Sequence, residues 1–373
     1  MNLVLTGGGT GGHVYPALAL AEAFARDPAC APLAVTFVGT RAGLEATIVP
    51  NAGGTIRFVR AAPLVRTFGF SSVRTVAINL AGFFDALRVL HAAAPDVLVA
   101  TGGYVSLPVV AALRAVRALG RSRARIAVLE PNAVAGLTNR LLAPLVDEMW
   151  YAIAPPGRPL GAREWLVGTP VRASMRRPFD ARDARVALGL DREKTTVVVM
   201  GGSQGARSLN DAVAGLVEAG VPAGWQLLVL AGARDYEQLR ARLGGRPDVT
   251  VLAYLDDPRA AYAAADVVVA RAGASTLGEL AATATPALLV PYPFATDDHQ
   301  AHNARAFAAH GAARIVADRE LDAERLRREL EDMLAPVGRR AMRAAAASAA
   351  QADPATTIVA RVKAWSASKP GTP

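Results

Sequence analysis

The chain is poor in cysteine, in lysine and in long apolar runs, and each shortage closes off a class of protein. Cys30 is its only cysteine. No disulfide can form within the chain, which fits a reducing cytoplasm. Among 41 basic residues only Lys194, Lys363 and Lys369 are lysines. The arginines are scattered, apart from short runs such as Arg121-Ser122-Arg123-Ala124-Arg125. A formal charge of +9 invites a nucleic-acid partner. Scattered arginine in an alanine-rich chain reads instead as compositional bias, and no nucleic acid is expected. An anionic membrane surface or a diphosphate substrate would suit the same charge. No uninterrupted apolar run reaches the ~20 residues of a membrane span. No basic leader with a cleavage site precedes the first strand-like segment. A soluble or peripheral cytoplasmic protein is expected.

What is present is alternation. Strands are predicted at Leu3–Leu5, Ala34–Val38, Ile56–Val59, Val97–Ala100, Ile126–Leu129 and Glu148–Tyr151. The second half repeats the pattern at Thr196–Met200, Gln226–Leu230, Thr250–Leu252, Val267–Ala270, Ala287–Val290 and Ala313–Val316. Helical stretches such as Pro16–Ala25 and Val105–Leu119 lie between them. Short apolar strands alternating with helices imply parallel sheets buried on both faces, an α/β fold. With 373 residues, two domains are expected. Pro155-Pro156-Gly157-Arg158-Pro159 breaks the rhythm and reads as the linker, with Tyr151–Pro170 as hinge. Arg339–Ala350 and Thr356–Trp365 read as terminal helices, with disorder from Ser366.

A phosphate-cradling glycine turn occurs twice. Gly7-Gly8-Gly9-Thr10-Gly11-Gly12-His13 follows the first strand, and Gly201-Gly202-Ser203-Gln204-Gly205 follows Val197–Met200. Between a strand and a helix, such a turn aims backbone N–H groups at an anion. The formal G-x-G-x-x-G match of the first copy is weak evidence for a dinucleotide, because no acidic residue closes the second strand. There Gly39-Thr40-Arg41 stands instead, which would suit a 2′-phosphate. His13 ends the first loop, placed either to act on a substrate or to cap the helix. Thr101-Gly102-Gly103-Tyr104 and Glu130-Pro131-Asn132 end neighbouring strands. In a parallel sheet all these turns emerge at one rim. Arg271-Ala272-Gly273-Ala274-Ser275-Thr276-Leu277-Gly278-Glu279 opens a later helix. Glu279 is either a ribose-binding carboxylate or a favourable first-turn charge. Gln300 and Asn303, three apart, are expected to share a face with amides for sugar hydroxyls. No His, Cys or carboxylate cluster has metal-ligand spacing, so neither metal nor cofactor is expected. Ser72–His91 carries Val73, Val76, Leu80, Phe84 and Leu87 on one helical face, flanked by Arg66, Arg74 and Arg88. The pattern admits a core helix or a patch that docks on anionic lipid.

Taken together these motifs resemble the bacterial peptidoglycan N-acetylglucosaminyltransferases, the MurG family, over roughly residues 1–350. The resemblance implies a GT-B fold, two Rossmann-like domains with parallel sheets facing across a cleft. An acceptor and membrane-facing domain would span 1–165 and a UDP-GlcNAc-binding domain 166–350, with helix 351–366 packing back on the first. It implies inverting transfer of N-acetylglucosamine from UDP-GlcNAc to the C4 hydroxyl of lipid I, giving lipid II. Such a transfer needs a base for the hydroxyl proton, and His13, whose imidazole titrates near neutrality, is the first candidate and Glu130 the second. Donor contacts would be Thr10, Gly11, Gly12, Asn132, Arg172, Ser203, Leu255, Ala274, Ser275, Thr276, Leu277, Gly278, Glu279 and Gln300. Gly102, Gly103 and Tyr104 would meet the acceptor. The family's membrane patch falls on Ser72–His91, implying a peripheral protein at the cytoplasmic face of the membrane, with cell-wall and division proteins as candidate partners. Departures from the family pattern include Thr169 for Asn, Pro131 for Gln and Ser275 for Leu. The rivals are another GT-B lipid or natural-product glycosyltransferase, a UDP-GlcNAc 2-epimerase, and a non-catalytic basic membrane- or nucleic-acid-binding module.

Overall fold

The computed structural model describes residues 1–64, 70–202, 205–255, 257–349 and 352–367. The chain divides into two compact units, 1–173 with 352–373 and 174–351.

In the first unit seven strands, β1 (Asn2–Thr6), β2 (Ala34–Gly39), β3 (Ile56–Phe58), β4 (Val97–Ala100), β5 (Arg125–Glu130), β6 (Glu148–Tyr151) and β7 (Glu164–Leu166), form one sheet. Their order is β3-β2-β1-β4-β5-β6-β7 and every pairing is parallel. Helices α1 (Gly11–Arg26), α2 (Glu45–Asn51), α3 (Phe70–Ala93), α4 (Ser106–Ala118) and α5 (Leu137–Leu142) connect them. Val97–Ala100 is buried along its whole length. Such a strand must be covered on both faces, and two apolar clusters do this. One gathers Leu18, Leu20 and Phe24 of α1, the other Val109, Val110 and Leu113 of α4.

The second unit has helix α6 (Ala181–Ala187), strand β8 (Thr195–Met200) and helix α7 (Arg207–Glu218). Strand β9 (Trp225–Leu230), helix α8 (Tyr236–Leu243), strand β10 (Val249–Leu252) and helix α9 (Arg259–Ala264) follow. Then come strand β11 (Val267–Ala270), helix α10 (Ala274–Thr283), strand β12 (Ala287–Leu289), helix α11 (His299–Ala308) and strand β13 (Ala313–Ile315). Helices α12 (Ala323–Leu334) and α13 (Pro336–Ala349) close it. Its sheet order, β10-β9-β8-β11-β12-β13, is the doubly wound Rossmann order with six parallel strands. The chain then returns to the first unit as α14 (Pro354–Ala367), whose Ala355, Ile358, Val359 and Val362 enter the cluster that contains α1.

Three expectations are corrected. The Pro155–Pro159 stretch is not the linker: it joins β6 to β7, a three-residue edge strand whose Trp165 and Leu166 are exposed. The division falls at 173/174 rather than 165/166. Residues 167–173 stay with the first unit because Val167 and Val171 are buried and Glu22 of α1 binds both the Arg172 side chain and the Ala173 amide. Helix α14 runs through Ser366 to Ala367, past the point where disorder was expected.

Candidate functional site

In a doubly wound sheet the ligand crevice opens where the strand order reverses, between β1 and β4 in one unit and between β8 and β11 in the other. Both glycine turns leave a strand at such a point.

At the first switch point the turns after β1 and β4 are built into each other. Thr101 N donates to Thr6 O (2.7 Å). Gly103 takes φ +83°, and a Cβ there would strike Gly8 O. Tyr104 lays its ring against Gly9, and its hydroxyl sits 3.4 Å from Thr40 Oγ1. His13, in the first turn of α1, packs its ring on Gly102, at 2.9 Å from where a Cβ would stand. Its Nδ1 lies 2.8 Å from Thr101 O, while Thr101 Oγ1 donates to His13 O at 2.8 Å. A carbonyl oxygen only accepts, so Nδ1 carries the proton and Nε2 is the basic nitrogen. That tautomer is the one a general base needs. Thr10 is exposed at the helix N-cap, with Gly11 and Gly12 behind it, and no side chain caps the helix. Gly102, Gly103, Tyr104, Thr10–Gly12 and His13 thus share one rim.

Glu45 is the residue that sequence reasoning missed. It is buried, and its Oε2 accepts from Gly9 N (3.0 Å) while Oε1 accepts from Thr40 N and Thr40 Oγ1 (both 2.8 Å). Its carboxylate occupies the space a Gly8 side chain would need. The only signal for it was the glycines that surround it, Gly39 and Gly43.

Glu130 is corrected as a candidate base. It is buried and accepts four hydrogen bonds: Asn132 N (2.9 Å) and Nδ2 (3.2 Å) on Oε1, Gly136 N (3.0 Å) and Asn139 Nδ2 (2.8 Å) on Oε2. A carboxylate surrounded by donors from its own loop shapes that loop and has no lone pair to spare for a substrate proton. Asn132 is held by the same bonds. Arg172 pairs with Glu22 (3.0 Å), half-exposed.

At the second switch point Gly205 N closes on Gly202 O (2.9 Å), leading into α7; Ser203, a predicted diphosphate contact, lies outside the described residues. Arg271 fastens the neighbouring turn, donating to Asp318 Oδ1, Ser208 Oγ, Val290 O and Pro291 O. Helix α10 begins after Gly273 with no side-chain cap. The amides of Ala274, Ser275 and Thr276 therefore lack intrahelical partners. Beside them Ser275 Oγ is buried and has no hydrogen-bond partner among the described residues. Leu277 is corrected: its side chain is in the core and its amide donates to Gly273 O, as a helix requires. Gly278 is buried one residue further along.

Glu279 faces Tyr262, whose hydroxyl donates to Oε2 at 2.7 Å. Among the described residues Oε1 has no partner. Burial pushes the Glu279 carboxyl above its ordinary 4.5, and the Tyr262 hydrogen bond offsets only part of that. Burial, and then the Glu279 charge, push the Tyr262 phenol well above 10. A carboxylate held this way gains from a pair of ligand hydroxyls. Leu255 is half-buried in the turn after β10. Gln300 Oε1 accepts from Tyr292 N (2.9 Å), and its NH2 group meets no acceptor among the described residues. Asn303 does not share that face: it is fully buried and donates to Ala272 O (3.2 Å), bracing the turn before α10. Among the described residues no group of three or more His, Cys, Asp or Glu is placed to hold a metal ion.

Two family models match in series. Residues 3–150 match the glycosyltransferase family 28 N-terminal domain and residues 196–360 its C-terminal domain. The doubled Rossmann-like architecture is therefore that of the GT-B glycosyltransferases. Full-length relatives narrow the class. The UDP-N-acetylglucosamine–N-acetylmuramyl-(pentapeptide) pyrophosphoryl-undecaprenol N-acetylglucosamine transferase of Chlorobium phaeobacteroides is 37% identical, over 97% of this chain and 98% of that one. The enzyme of the same name from Moorella thermoacetica is 40% identical, over 93% and 94%. The crystal structure of Acinetobacter baumannii MurG superposes with a TM-score of 0.74 at 26% identity, covering 97% of this chain and 99% of that chain. The chain belongs to glycosyltransferase family 28 and, within it, to the MurG family.

Proposed function

We propose that this protein transfers N-acetylglucosamine from UDP-N-acetylglucosamine to the C4 hydroxyl of N-acetylmuramyl-(pentapeptide) pyrophosphoryl-undecaprenol, with inversion at the anomeric carbon. The family match across both units carries this reading. The second unit takes the donor. The ribose hydroxyls meet Glu279 Oε1, the diphosphate meets the first-turn amides of α10 with Ser275 Oγ, and the Gln300 NH2 group meets a sugar hydroxyl. The first unit takes the acceptor at the rim of Gly102, Gly103 and Tyr104. His13 Nε2 receives the acceptor hydroxyl proton as the new C–O bond forms and the bond to UDP breaks. Oriented amides take up the charge that develops on the leaving diphosphate.

We place the protein on the cytoplasmic face of the membrane as a peripheral enzyme. Val73, Val76, Leu80 and Phe84 lie along one side of α3, between 52% and 69% exposed. Val73–Ala93 is long and apolar enough to cross a membrane by length and composition. Ala86 and Leu90 on its other side are buried in the core, which favours a helix lying on a surface over one passing through it. Arg74 and Arg88 flank the stripe, and Arg60 pairs with Asp85 (2.7 Å) beside it; Arg66 lies outside the described residues.

The test is transfer of labelled N-acetylglucosamine from its UDP donor to a lipid-linked muramyl-pentapeptide acceptor, with and without chelator. Labelled product in both conditions is expected. Epimerised or merely hydrolysed donor, with no glycosylated lipid, would overturn the reading.

A further inference from the structure

The first unit holds a cavity of about 410 Å³ beside the acceptor rim that the assignments above leave unused. That volume falls within the ~300–1,000 Å³ range of small-ligand sites. Its wall includes Asn139 of α5, and Asn139 also reaches the rim, its Nδ2 lying 3.3 Å from where a Gly102 Cβ would stand. Asn139 is 3% exposed. Its Nδ2 donates to Glu130 Oε2, and since a carboxylate only accepts, this bond fixes which way the amide points. Oδ1 is left buried, with no hydrogen-bond partner among the described residues. A buried acceptor left unmet is costly, and a ligand donor brought to it would recover that free energy.

The other walls say what kind of donor. Ala135, Met149 and Pro155 are apolar. Three charged side chains line it: Arg140 is exposed and already engaged, and Arg158 and Glu164 close on each other. Arg158 binds Glu164 through both nitrogens (2.6 and 2.9 Å) and donates to the Tyr151 hydroxyl (2.9 Å). Arg158, first among several donors, holds the Glu164 carboxyl at about 2, so the pair stays charged and mutually satisfied at neutral pH. The cavity thus suits an uncharged group that combines an N–H with a small apolar side chain. A diphosphate has no such donor, an isoprenoid has none at all, and a sugar ring would leave several hydroxyls unmet. A peptide carries both features. The muramyl acetamido group carries both too, but fills little of the volume.

We propose that this cavity is the subsite for the acceptor's peptide, seating a small side chain against Ala135 and Pro155 and giving a backbone N–H to Asn139 Oδ1. The proposal rests on the acceptor assigned above. The test compares two lipid-linked diphosphate acceptors, with and without the pentapeptide, in the full-length protein and in Ala135→Trp, which fills the cavity and touches neither His13 nor Glu279. The intact protein should use the peptide-bearing acceptor with kcat/KM at least about tenfold higher, the scale of one buried hydrogen bond. Ala135→Trp should erase that preference through KM and leave the peptide-free reaction, and thermal stabilisation by UDP-GlcNAc, unchanged. Should the tryptophan variant fail to fold, Ala135→Leu reads the same preference. Equal use of both acceptors by the intact protein, or an equal loss on both in the variant, overturns the subsite and leaves the transferase standing. Transfer to neither acceptor overturns the transferase reading itself.

Discussion

At the scale of single residues, two titratable groups carry the proposed chemistry in opposite ways. His13 is held in one tautomer by Thr101 O, so its contribution is a positioned basic nitrogen. His13→Ala should lower kcat by about 10²–10⁴-fold, the usual worth of general-base help, with the donor KM nearly unchanged. Steady-state kinetics at saturating acceptor decides this, and near-normal turnover removes His13 as the base. Glu279 is a burdened group. Its folded pKa is raised above 4.5, so above that value the unfolded state gives up its proton more easily than the native state does. Stability contributed here is therefore lost as pH rises from about 4.5 through the raised value. Glu279→Gln keeps an acceptor for Tyr262 and removes the partly buried charge. We expect its thermal midpoint without ligand to exceed that of the parent at pH 7–8, the gap closing toward pH 4. Its donor KM should rise by about 10–100-fold through loss of a charge-assisted bond to the ribose. A midpoint that falls at neutral pH would contradict the account of Glu279, as would an unchanged KM.

At the scale of elements, the strands were the legible part. All twelve expected strands exist, because β-branched apolar runs between glycine turns can be satisfied almost only by a buried parallel sheet. β7 was not legible, since Glu164-Trp165-Leu166 is an edge strand held by register with β6 rather than by its own pattern. The glycine turns and Glu279 could be read as ligand-binding candidates. The roles of Glu130, Asn303 and Leu277 could not, because residue type gives chemical capacity and says nothing about which neighbour uses it. The return of α14 was legible from the family resemblance alone, and its fastening is a three-dimensional arrangement. Trp365 stacks on Trp150 at 5.6 Å, and both indole N–H groups donate to Glu148. Arg361 binds the same carboxylate through two nitrogens (2.9 and 2.6 Å) and lies over the Trp165 ring. Burial pushes the Glu148 carboxyl up, but Arg361 and the two indoles outweigh it and hold it below 4.5. Its stabilisation is thus present above about pH 4.5 and is lost as pH falls through the lower folded value. Glu148→Ala leaves Arg361 and both indoles without their shared acceptor, a loss of about 3 kcal/mol. The melting midpoint should drop by about 6–12 °C at pH 7. Calorimetry checks the size, and a shift that persists undiminished at pH 3 would rule out the charge as its source.

At the scale of the whole molecule, the surplus of positive charge and the exposed stripe of α3 ask for one surface that answers both. The formal charge of +9 is spread over many arginines, and a diffuse charge of this kind attracts any polyanion at long range without choosing among them. The stripe chooses. On the proposed membrane role, four exposed apolar side chains beside Arg74 and Arg88 would gain by entering the boundary between headgroups and acyl chains, and nucleic acid offers no such boundary. Each basic residue near an anionic leaflet adds about 1 kcal/mol at ordinary salt, and this part fades when the screening length shrinks from ~10 Å at 0.1 M to ~3 Å at 1 M. The two contributions therefore separate by experiment. Co-sedimentation with vesicles should be stronger for anionic than for zwitterionic lipid at 0.1 M salt. At 1 M salt the preference should vanish while weak binding to both persists. Leu80→Asp combined with Phe84→Asp alters only exposed positions, so the melting midpoint and stabilisation by UDP-GlcNAc should hold. The residual high-salt binding should disappear, and transfer to vesicle-embedded acceptor should fall about tenfold or more while transfer to a water-soluble acceptor stays intact. If the double variant sediments with vesicles as the parent does at both salts, α3 is not the docking surface and charge alone brings the protein to the membrane.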